Sequence, residues 1–231
     1  MIADELGEAV SQAVKSILLI VSALFPIVNP LGGSPIFLSL TRHYSRSARW
    51  ALSRGIAMNS FFLLVGSYLI GTHVLAFFGI SLPVVQVGGG LVVISSGWRM
   101  LNRPDDDEDE RGEIHRSVQP QDTFRNAFYP LTLPLTVGPG SISVAIALGA
   151  NAPYHYGVHH MVILAAIVGS LLIAVSIFLC YGFADRLAQI LGKRAMSVIM
   201  RLFTFLLLCI GVQILWNGAS QLLASVPLHL H

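Results

Sequence analysis

The sequence predicts an all-α integral membrane protein with six transmembrane helices in two inverted three-helix repeats, the first and fourth helices broken at Pro/Gly motifs. Three observations carry this reading. Hydrophobic residues make up 54% of the chain and charged residues 11%, against roughly 25% charged in an ordinary soluble domain, so lipid is the expected solvent. Lys and Arg gather in alternate gaps between the apolar stretches, as cytoplasmic loops require. A cluster of three prolines recurs 104 residues further along the chain.

At about 20 residues per crossing, six apolar stretches can be counted, at 14–41, 55–76, 82–101, 124–150, 158–182 and 196–222. The first holds Pro26, Pro30 and Pro35. Its start, Lys15 followed by Ser16 to Ala23, resembles a signal peptide, but Asp4, Glu5 and Glu8 are wrong for a positive n-region, and the repeat needs the whole segment. The third carries Gln86 and the run Gly88, Gly89 and Gly90, expected to let helices pack closely. A linker at 102–123 follows, with an acidic run from Asp105 to Glu110 that cannot bury a core. The fourth stretch repeats the prolines as Pro130, Pro134 and Pro139. A short outer loop with His155, His159 and His160 leads to the fifth; with no Cys or carboxylate beside them, these histidines make a poor metal site. Cys180 and Cys209 lie in apolar spans and read as small hydrophobes. Gln213 and Asn217 in the sixth, like Gln86, read as interhelical hydrogen-bonding groups.

Six crossings put 13 of the 14 Lys and Arg residues on one side, in clusters around Arg46, Arg103 to Arg125 and Lys193, with Lys15 alone near the other face. The expected topology therefore has both termini outside the cytoplasm. The basic residues serve orientation, and no nucleic-acid role follows from the net charge of +2.

The domain reading is residues 1–101 as the first repeat and 124–231 as the second. Phe25 to Pro35 lies over Tyr129 to Pro139, with prolines four and then five residues apart in both; these windows hold six of the eleven prolines. Gly90 and Gly97 share their separation with Gly211 and Gly218. Three crossings per half force the second half to enter from the opposite side, an arrangement common in secondary transporters, which bind at the repeat interface near the midplane.

Proline inside a helix removes a donor and clashes with the carbonyl four residues back, so neither window can be a regular helix. Irregular backbone survives within a membrane only where protein or a water-filled cavity covers it. Ser34 before Pro35, and Gly138 before Pro139, both read as N-cap followed by the first helical position. Each restarted helix would aim free N–H groups and its positive dipole end at the break. The candidate substrate-binding residues are Asn29, Gly32, Gly33, Ser34, Thr132, Gly138, Gly140 and Ser141. No Asp, Glu, Lys or Arg falls in the middle of a span, so the expected solute is small and neutral overall; a zwitterionic solute such as a small amino acid fits, and so does a small polar uncharged one.

At these windows the chain resembles the MarC family of bacterial integral membrane proteins. Asn29, Pro30, Leu31, Gly32 and Pro35 look like its first motif, and Pro130, Pro134, Gly138, Pro139 and Gly140 like its second. Phe78 to Ser81, Gly89 to Leu91 and Gly211 to Gln213 extend the likeness. Thr132 stands where the family often has alanine. The resemblance implies a multi-pass protein of a prokaryotic plasma (inner) membrane that transports small neutral amino acids. The competing class is a membrane assembly or partner-stabilising protein, which has no need of duplicated breaks. An enzyme is disfavoured, since the spans hold no HExxH, nucleophile elbow or carboxylate pair. No cofactor is implied; a coupling ion and a homo-oligomer stay open.

Overall fold

The computed structural model describes residues 2–41, 44–102, 127–152 and 159–225, and among these every element is helical. They are α1 (Ile2–Val28), α2 (Pro30–Leu40), α3 (Arg46–Phe77), α4 (Leu82–Leu101), a wound segment (Ala127–Thr136), α5 (Pro139–Ala150), α6 (His159–Gly182) and α7 (Ala184–Ala224). The acidic run and His155 lie outside the described residues.

Among the described residues four stretches are long and apolar enough to cross a membrane: Val10–Leu40, Arg46–Phe77, His160–Gly182 and Arg201–Ala224. The wound segment and α5, bent by 71°, count as a fifth if they form one span. The described residues are thus helical, with four to five candidate crossings. The expected third crossing is present as α4, 20 residues long, but it is not among the stretches that meet this test. Gln86, three successive glycines and Arg99 dilute its apolar content.

Local chemistry explains the boundaries. Ser45 caps α3 by accepting from the Ala48 N–H at 3.2 Å, so that helix starts well before residue 55. It ends in a Schellman motif: Gly79 takes φ +67, its N–H reaches the Ala76 carbonyl, and the Ile80 N–H reaches that of Leu75. In α7, Gly192 takes φ 66 and ψ 166, a conformation close to glycine-only, and breaks the helix before the final crossing.

The core is lined by Ile20 and Leu24 of α1, Phe37 of α2, Leu52, Ile56 and Leu64 of α3, and Ile173, Ile177 and Tyr181 of α6, all essentially inaccessible. Lipid tails are as apolar as these side chains, so close packing and internal hydrogen bonds hold the helices together. Glycine makes that packing close. A Cβ at Gly90 would lie 2.6 Å from the Leu215 N, one at Gly211 2.9 Å from the Ile94 N, and one at Gly218 2.6 Å from the Pro83 carbonyl. α4 and α7 therefore meet backbone against backbone, along the two glycine pairs that the sequence repeats. Gly88 departs from the packing expectation: it has open space around it, and Gly89 and Gly90 carry the contacts.

At one end of the bundle Arg49 of α3 pairs with Asp185 of α7 at 3.0 Å. Trp50 packs edge-on against Phe178 and Phe183 beside them. The basic stretches around Arg46 and Arg186 thus share one end of the molecule.

Candidate functional site

The first break lies at Asn29. The Asn29 N–H still reaches the Phe25 carbonyl at 2.9 Å, completing α1, but its backbone then turns left-handed at φ 45, ψ 60. Asparagine is one of the few residues that takes this conformation readily. Its Oδ1 accepts from the Gly32 N–H at 3.0 Å, its carbonyl accepts from the Gly33 N–H at 2.9 Å, and Pro30 occupies the first position of α2. The helix restarts here and not at Ser34, which corrects the sequence expectation; Pro35 lies inside α2. Asn29 is 6% exposed, and its Nδ2 is buried without a hydrogen-bond partner.

The second break is spread over more residues. Tyr129 and Leu133 are extended, the bonds to Pro130 and Pro134 are cis, and α5 restarts at Gly138 with Pro139 in its first turn, as the sequence predicts. Side chains restore part of the missing ladder. The Thr132 hydroxyl donates to the Ala127 carbonyl at 2.6 Å, and that of Thr136 to the Leu131 carbonyl at 2.7 Å. Tyr181 of α6 joins the breaks: its hydroxyl shares a hydrogen bond with Thr136 at 3.0 Å, and its ring stacks on Phe37 of α2 at 4.8 Å. A Cβ at Gly33 would run into the same hydroxyl.

Both breaks open onto one cavity of about 730 Å³, within the usual range for small-molecule sites. Asn29 and Gly33 line one wall, Gly138, Gly140 and Ser141 another, and α4 a third.

The family described as MarC family integral membrane protein matches residues 14–223 of this chain. The chain belongs to the MarC family. It is 30% identical over 215 residues to an inner membrane protein MarC of Salmonella typhimurium, covering 91% of this chain and 97% of that one. It is 29% identical over 198 residues to the membrane protein YvbG of Bacillus subtilis, covering 85% and 90%. No solved structure matches it.

Of the eight residues singled out in the sequence, this MarC family chain brings five to the cavity: Asn29, Gly33, Gly138, Gly140 and Ser141. The other three hold the scaffold. Gly32 leaves room for the Asn29 cap, since a Cβ there would strike the amide. Ser34, 1% exposed, donates to the Cys180 carbonyl of α6 at 3.1 Å. Thr132, fully buried, donates to its own backbone and accepts from the Asn59 Nδ2 of α3 at 3.5 Å.

Sequence reasoning missed the α4 wall. Ser96, Arg99 and Asn102, spaced three apart on one helical face, line the cavity together with Trp98. Arg99 brings a positive charge, and among the described residues no Asp or Glu lines the cavity. With the start of α5 at Pro139, which also lines the cavity, this gives the described lining a positive character suited to a carboxylate. Among the described residues no three His, Cys, Asp or Glu side chains group to hold a metal ion.

Proposed function

We propose that the chain is a secondary transporter of small neutral amino acids in a prokaryotic inner membrane, working by alternating access around its two broken helices. The observation that carries this reading is the shared cavity: two breaks, at proline clusters that recur 104 residues apart, open onto one space, the first through Asn29 and Gly33 and the second through the start of α5. A substrate carboxylate would accept from the α5 N-terminus, Arg99 and the vacant Asn29 amide, while carbonyls released by the prolines would accept from its ammonium. On this reading α4 is a crossing, the chain has six spans in two inverted repeats, and both termini face outward. The Arg49–Asp185 pair supports it, because it brings the first and last basic clusters to one end.

The test is uptake of labelled alanine, glycine and serine into proteoliposomes, with and without proton and sodium gradients. Saturable uptake that alanine inhibits and a decarboxylated amine does not is the expected result. Absence of uptake and of binding for all three amino acids would favour the assembly role instead.

A further inference from the structure

The face of α7 turned away from α4 carries two amides where lipid would be expected to lie. The Arg201–Ala224 crossing is 24 residues long; Gln213 stands 12 residues after its start and 11 before its end, about 18 Å deep at 1.5 Å per residue. Gln213 and Asn217 are both exposed, one helical turn apart, while Gly211 and Gly218 occupy the opposite side against α4. Around them lie Trp216, Val212 and Leu206, exposed by 62%, 49% and 40%.

Polar groups at this depth are costly unless partnered. The chain satisfies them in part: the Gln213 Nε2 donates to the Asn217 Oδ1 at 2.8 Å. That bond leaves the Gln213 Oε1 as an acceptor and the Asn217 Nδ2 as a donor, with no other partner among the described residues. Hydrocarbon offers neither group.

We propose that this face binds a second copy of the chain, forming a twofold dimer through α7. All copies enter the bilayer with one orientation and depth, so a twofold axis along the membrane normal sets each α7 beside its counterpart with Gln213 at one level. An amide contains both donor and acceptor and is complementary to itself. Symmetry then gives two equivalent bonds, each from an Asn217 Nδ2 to the Gln213 Oε1 of the other copy, with Trp216 and Leu206 packing around them. Two bonds of this kind suit the polar association of membrane helices.

Cys209, exposed one turn from Gln213 on the same face, makes the dimer testable in the full-length protein. In membranes of the C180A variant, a thiol oxidant should link two copies through Cys209. A C180A/C209A chain with Phe62→Cys, on the lipid-facing side of α3, keeps the α7 face and should dimerise without being linked by the oxidant. Gln213→Leu with Asn217→Leu, which inserts readily because it is more apolar, should weaken dimerisation roughly tenfold at about threefold per lost amide bond. Single-molecule bleaching in vesicles, which needs no cysteine, should give two steps for the wild type and mainly one for the double variant. Single-step bleaching of the wild type, linkage only to a different protein, or equal dimerisation by the double variant would each overturn the proposal.

Discussion

Substitutions at Asn29 separate the scaffold of the first break from its ligand chemistry. Asn29→Ala removes the cap to Gly32, worth about 1 kcal/mol, and forces a Cβ-bearing residue without a compensating side-chain bond into the left-handed region, about 1–2 kcal/mol more. The expected loss of stability is therefore about 2–3 kcal/mol. Asn29→Gly keeps the left-handed turn at no steric cost and should lose only a few tenths of a kcal/mol. Asn29→Asp keeps the Oδ1 acceptor for Gly32, yet replaces the vacant Nδ2 donor, buried on the cavity wall, with a second acceptor. It should fold, but should bind alanine about five- to 150-fold more weakly, since an unpaired buried polar group costs about 1–3 kcal/mol. Chemical denaturation in detergent measures the first quantity and binding of labelled alanine the second. Wild-type affinity in Asn29→Asp, or equal stability of the alanine and glycine variants, would refute the division.

Arg99→Gln should reduce affinity for alanine by roughly tenfold or more, the worth of a charge-assisted hydrogen bond, and leave the weak binding of ethylamine unchanged; competition assays read both. Gly140→Ala should destabilise by about 1–3 kcal/mol because its Cβ would meet the Cγ2 of Val93; adding Val93→Ala should recover part of that in thermal unfolding, while Gly88→Ala should cost nothing. Cysteine labelling in intact cells should find the loops around Arg46, Asp107 and Lys193 shielded inside, and labelling of the Arg46 and Lys193 loops from opposite sides would exclude the inverted repeat. Deleting Asp105 to Glu110 should leave insertion and uptake near normal, because that composition cannot build packed structure.

The helical fold and the place of the breaks were legible because proline leaves few choices. Gly138 and Pro139 restart α5 as their residue types predict. The same pattern misleads at Ser34 and Pro35 because Asn29 and Pro30, five residues earlier, fit it equally well. Ser and Asn are near-equal N-caps; what decides is that Asn also tolerates the left-handed turn, whereas Ser34 finds a partner on α6, a helix 146 residues away. Arg99 went unread as a cavity residue since the positive-inside rule already accounted for it. Thr132 looked like a ligand group because composition cannot tell a hydroxyl facing a cavity from one serving the carbonyl five residues behind it.

The backbone seam between α4 and α7 bears on how the cavity could ever change shape. Helices separated by long side chains can slide, since rotamers give way one at a time. Where Gly90, Gly211 and Gly218 bring main chain onto main chain, fewer rotamers can give, and slippage would open voids along the line of contact. α4 supplies one wall of the cavity, and among the described residues α7 lines it only through Leu207. A displacement of that wall would therefore carry α7 with it, and with α7 the face on which the amides of Gln213 and Asn217 lie.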